Sequence, residues 1–158
     1  MPIKLKVLSD SPEITKTIGA EFAKRILRSM PQNGAQVVTL RGDLGAGKTT
    51  FVLGFLKHFN INPKAASPTF VIMKRYAPKP LVVSRRSSVV FIYHLDAYRL
   101  HSKKDLEALD FQEILNNPKN IILVEWPEKI KGEKFKNKIA VKFDYGKKEN
   151  ERVISFIK

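Results

Sequence analysis

The spacing of apolar residues changes several times along the chain, and each change marks an element. Ile3, Leu5 and Val7 alternate with Lys4 and Lys6, which predicts a half-exposed strand near a sheet edge. Ser11-Pro12-Glu13 reads as a helix start, with Ser11 as N-cap and Pro12 in the first turn. Ile14, Ile18, Phe22 and Ile26 recur every four residues, so this helix is expected to lay one apolar stripe on the core. Met30-Pro31-Gln32-Asn33-Gly34 ends it, and Val37-Val38-Thr39-Leu40 reads as a strand. Phe51, Val52, Phe55, Leu56 and Phe59 then mark one face of a second helix, which stops near Asn60-Ile61-Asn62-Pro63. Strands are expected at 71–73 and 89–93, with 77–88 as an extended hairpin connection between them. Ser102 and Asp105 are spaced as a capping box, from which Leu106, Leu109 and Ile114-Leu115 continue helically. A buried strand over 120–124 follows, and the tail carries two more, 138–143 and 152–157, around a polar turn at Gly146.

The strand over 37–40 and the helix after it enclose Gly42-Asp43-Leu44-Gly45-Ala46-Gly47-Lys48-Thr49, which fits G-x-x-x-x-G-K-[ST], the Walker A phosphate loop. Backbone N–H groups and the positive end of the helix form a concave anion site there. Gly45 and Gly47 admit phosphates without a Cβ in the way. Lys48 is expected to reach the β- and γ-phosphates, and the Thr49 hydroxyl to bind magnesium. The expected architecture is one α/β domain over 1–158, a P-loop NTPase-like fold. Its central sheet is mixed and mostly parallel, flanked by helices, with antiparallel strands from hairpins and the C-terminal tail.

Hydrolysis also needs a held magnesium and an oriented water. Asp96 and Glu125 each follow a buried apolar run, and in parallel α/β sheets ligands gather at the carboxyl ends of strands. The two acids are expected to share the roles of metal ligand and water orienter, with residues 121–125 as a Walker B element ending in Glu. Thr69, in the turn Ser67-Pro68-Thr69, stands where switch-type loops contact magnesium and the γ-phosphate, or satisfies the turn backbone. Arg99 faces phosphate or pairs with an acid. His94 reads as a core histidine or one that supports a ligand.

Composition adds a partner class. The chain has no cysteine and three scattered histidines, which excludes a disulfide framework and a cysteine–zinc site. No apolar stretch approaches the length of a membrane span, so a soluble cytoplasmic protein is expected. The net charge of +14 points to a polyanion such as nucleic acid. It is uneven: residues 129–158 hold ten Lys or Arg against four acids, and 74–86 hold Lys74, Arg75, Lys79, Arg85 and Arg86 with no acid.

GDLGAGKTTF (42–51), SPTF (67–70), HLDAYRL (94–100) and VEWPE (124–128) occur in that order. Together they resemble the bacterial TsaE family (also called YjeE), the small ATPase of tRNA threonylcarbamoyladenosine biosynthesis. The resemblance implies ATP and magnesium as ligands and slow ATP hydrolysis. It also implies action with TsaD and TsaB, tRNA being met through that complex. The family's phosphate-binding motif falls on Gly45, Ala46, Gly47, Lys48, Thr49 and Thr50, its important acids on Asp96 and Glu125, and its tryptophan on Trp126. Thr15 falls where the family has a threonine near the nucleotide. Two departures stand out: Ala97 replaces the usual Leu of the D-x-Y-R motif, and residues 129–135 lack the Leu-Pro pair often found after the tryptophan. Two other readings of a phosphate loop in a chain this size are a nucleotide-gated adaptor and a small-molecule kinase.

Overall fold

The computed structural model describes residues 4–63, 71–79 and 89–158. Seven strands form one sheet, β1 (Lys4–Ser9), β2 (Gln36–Arg41), β3 (Met73–Tyr76), β4 (Phe91–Asp96), β5 (Asn120–Glu125), β6 (Lys138–Tyr145) and β7 (Arg152–Ile157), in the order β1-β7-β6-β2-β5-β4-β3. The parallel pairings β6–β2, β2–β5 and β5–β4 lie together at the centre. Antiparallel pairings flank them: β3 on β4 at one side, β7 on β6 and β1 on β7 at the other. This is the mixed α/β sheet that the sequence predicts.

Local sequence explains the division. β2 and β5 are buried almost end to end because both of their faces are covered, and they read as continuous apolar runs. β6 alternates, with Val141 and Phe143 buried and Lys138 and Lys142 exposed, because only one of its faces is covered. On that covered face lie α1 (Pro12–Leu27) and α2 (Lys48–His58), whose Phe22, Phe51 and Phe55 pack with Phe143, Phe156, Val38, Leu40 and Leu123. On the opposite face, Leu106 and Phe111 from α3 (Lys103–Glu107) and α4 (Phe111–Asn116) cover Val37, Leu95, Ile122 and Val124. That second layer includes no residue of β1, β6 or β7.

α1 starts as expected: the Ser11 side chain accepts from the Ile14 N–H, with Pro12 in the first turn. Its buried stripe differs from the one expected. Ile14 is exposed, and Thr15, Gly19, Phe22, Ala23 and Ile26 face inward. The reason is close approach of the two helices. A Cβ on Gly19 would meet the Phe51 carbonyl oxygen at 2.2 Å, and one on Gly54 would meet the Lys16 carbonyl oxygen at 1.9 Å. Small residues therefore form the contact, and the rotation this requires turns Ile14 outward.

Three boundaries also shift. Asp110, at φ 53°, breaks the expected helix after Leu106 into α3 and α4. β3 begins at Met73, two residues later than expected, with Val71 exposed. The strand expected over 89–93 runs instead through β4, Phe91–Asp96, and takes in His94 and Leu95. The Ser67–Thr69 turn, including Thr69, and the Arg85-Arg86 pair lie outside the described residues.

Candidate functional site

The parallel register assembles the site. Leu40 of β2 pairs with Glu125 of β5, and Glu125 pairs with Asp96 of β4. Both acids therefore stand side by side at the carboxyl end of the sheet, beside the loop that leaves β2. The loop turns through Gly45 (φ 79°) and Gly47 (φ 104°), conformations that side chains other than hydrogen strain to adopt. Ala46 is buried between them, Lys48 opens α2, and Thr49 and Thr50 occupy its first turn. Thr15 reaches the loop from α1. Its methyl lies 3.8 Å from where a Gly47 Cβ would stand, and its hydroxyl is 2.7 Å from that of Ser9.

Lys48 is the electrostatic centre. Only 6% exposed, its ammonium donates to the carbonyls of Gly42 and Asp43, the latter at 3.0 Å. Burial pushes its pKa below the ordinary lysine value, while the carboxylates of Glu125, Asp43, Glu128 and Asp96 pull the other way. Trp126 closes one side, its ring centroid 4.5 Å from the Lys48 Nζ and 5.4 Å from the Tyr98 ring. Trp126 takes φ 55°, a costly conformation for a bulky residue. It sits directly after Glu125.

The two acids differ in setting. Glu125 is buried, and its Oε1 lies 2.9 Å from the Nε2 of fully buried His94, whose Nδ1 has no partner among the described residues. Asp96 accepts from the Tyr98 N–H at 3.1 Å and lies 3.9 Å from the Arg99 guanidinium, so Arg99 pairs with an acid here. His94 thus supports a site carboxylate. The two carboxylates beside the loop are oxygen donors, as is the hydroxyl that Thr49 carries in the first turn of α2, and oxygen donors suit a hard cation shared with phosphates. Among the described residues no three His, Cys, Asp or Glu gather as a self-sufficient metal cage. Magnesium in nucleotide sites commonly needs none.

Two residues at the loop escaped the sequence reading. The Tyr145 hydroxyl donates to the Leu44 carbonyl at 2.9 Å, and the Arg152 guanidinium donates to the Gly45 carbonyl at 3.3 Å while lying over the Tyr145 ring. Both come from the tip of the β6–β7 hairpin. The signal was indirect: once β6 pairs parallel with β2, with Val141 beside Leu40, the residues after Phe143 must overhang the loop.

Comparison with known proteins bears on the family and the fold. The family model described as "Threonylcarbamoyl adenosine biosynthesis protein TsaE" matches residues 9–154. A Rickettsia felis protein named tRNA threonylcarbamoyladenosine biosynthesis protein TsaE is 41% identical over 112 residues, 70% of this chain and 58% of that protein. A Bacillus subtilis protein of the same name is 37% identical over 78% of this chain and 66% of its own length. The chain thus spans about three fifths of the length of its Rickettsia felis and Rickettsia conorii relatives, 58% and 61%. The crystal structure of Bacillus subtilis YdiB superposes with a TM-score of 0.64 at 29% identity, covering 99% of this chain and 86% of that one.

Proposed function

The chain belongs to the TsaE family of threonylcarbamoyl adenosine biosynthesis proteins, and from that premise we propose that it is a magnesium-dependent accessory ATPase of tRNA threonylcarbamoyladenosine modification. In this reading TsaD and TsaB are its partners, tRNA is met through their complex, and the setting is cytoplasmic. The observation that supports it best is the pairing of Asp96 with Glu125 beside a phosphate loop whose lysine is buried among their charges. A loop alone argues for binding; two carboxylates at the same sheet end argue for hydrolysis.

The roles follow from the chemistry of each group. Lys48, released from the loop carbonyls, neutralises phosphate oxygens. Thr49 and one of the two carboxylates would hold magnesium, and the other carboxylate would orient the attacking water. Magnesium bound there would offset the charge that builds on the phosphoryl oxygens. His94 fixes the rotamer of Glu125 through the 2.9 Å contact, and Trp126 limits solvent at Lys48.

Glu125→Gln and Asp96→Asn each lower steady-state phosphate release by about a hundredfold or more, with ATP affinity kept within a few-fold. Release by the unaltered protein rises when TsaD and TsaB are added. Wild-type rates in both variants would remove the catalytic assignment. A hydrolysis-dead variant that still sustains repeated rounds of tRNA modification would favour the nucleotide-gated adaptor instead.

A further inference from the structure

The second layer of helices stops at β2, so one face of β6, β7 and β1 is left open, and its composition is unusual. Residues paired in register share a face, and the register draws a row across four strands: Lys6, Ser155, Lys142 and Arg41. The next row holds Lys4, Ile157 and Ala140, and Lys138 lies two residues further along β6. Lys4, Lys6, Lys138, Lys142 and Arg41 are all exposed. Ser155, between Lys6 and Lys142, is only 2% exposed, as expected if lysine stems lie over it.

Two acids meet this group, and both lie toward the phosphate loop. Asp144 pairs with Lys142 at 2.9 Å, and Glu128 approaches Arg41 at 4.0 Å. β1 and β7 contain no acid, and Asp144 is the only one on β6. Among the described residues no acid pairs with Lys4, Lys6 or Lys138, which therefore form a positive end. Strand spacing of about 4.8 Å and a rise of about 3.3 Å per residue set these three cations roughly 7 to 16 Å apart on a flat surface.

We propose that this open face binds the phosphate backbone of a folded RNA. Protection of an edge strand accounts for lysines on β1 but not for Lys138, Lys142 and Arg41, which sit inside the sheet. A protein partner fits the surface less well, because the cores of protein interfaces are depleted in lysine. Dispersed cations on a flat face suit a polyanion whose charges are themselves dispersed. The row ends at Arg41, the residue immediately before Gly42 of the phosphate loop. RNA seated on the face would thus adjoin the nucleotide site. The choice of RNA, and of tRNA as the probe, rests on the function proposed above.

The test is anisotropy of a fluorescently labelled, unmodified tRNA transcript titrated with the full chain over a range of salt. Lys6→Glu with Lys138→Glu is compared with Lys16→Glu plus Lys57→Glu, an equal charge change on exposed positions of α1 and α2. The first pair is expected to weaken binding about tenfold or more near 0.1 M salt and to flatten the log–log salt slope by about 1.5. The second should leave both within about twofold. Equal weakening by the two pairs would reduce the effect to net charge and overturn the proposal, as would unchanged binding in the first. Intact tRNA binding with lost retention of TsaD and TsaB would give the face to an acidic protein and overturn it too. Binding of a fluorescent ATP analogue, followed on the same samples, tests the functional reading separately. A wild-type chain that bound tRNA through this face but no ATP would refute that reading alone.

Discussion

The two halves of the sheet use their residues in opposite ways. In the parallel half, β2, β5 and β4 are sealed on both faces, so polar groups that meet solvent gather where a strand ends. Lys48, Asp96 and Glu125 are there. In the antiparallel half, β6, β7 and β1 are sealed on one face, so chemistry can appear along a strand at every second residue. The cations are there. A strand buried twice offers a point, whereas a strand buried once offers a surface.

Substitutions can break this contrast, and the largest effect lies in the sealed layer. Gly54→Ala adds a methyl where the Lys16 carbonyl stands 1.9 Å away, and backbone cannot give as a side chain can. The gain in helix propensity is about 1 kcal/mol. Net loss of stability should still reach about 3 kcal/mol by denaturant unfolding. Lys48→Met comes next and acts on two readouts in opposite directions. Nucleotide affinity, read by calorimetry, should fall about a hundredfold or more. Stability of the nucleotide-free protein should rise at pH 7. Because burial lowers the folded pKa of Lys48, the unfolded chain binds more protons, and the buried charge costs stability at neutral pH. That cost fades as pH climbs through the lowered pKa, so the melting-temperature gap between variant and parent should narrow in alkali. The smallest effect belongs to the open face: Leu8→Thr, at a position already 57% exposed, should move stability by less than about 0.5 kcal/mol.

Legibility in the sequence followed the same division. Continuous apolar runs located β2, β4 and β5, and with them the strand ends bearing Asp96 and Glu125, because burial on both faces leaves few other sequences possible. The glycine–lysine loop was legible because its backbone geometry demands those residues. The face of α1 was not: a four-residue period named Ile14, yet close helix packing selected Gly19 and Thr15, and glycine carries no hydrophobic signal. The contact of His94 with Glu125 depends on the register of β4 with β5, which only the folded sheet fixes. The same is true of the cation row, whose Lys6, Arg41 and Lys142 are far apart in sequence and meet through three pairings.

A trans peptide unit is a rigid plate whose C=O and N–H point in opposite directions. The Leu44 carbonyl is tethered outward to the Tyr145 hydroxyl, so the N–H of Gly45, on the same plate, is aimed away from the hairpin. One donor of the phosphate loop is thereby pre-set by a side chain 101 positions further along the chain. Tilting the β6–β7 tip would rotate that plate like a vane and change what the loop presents to an anion, with no residue of the loop itself replaced.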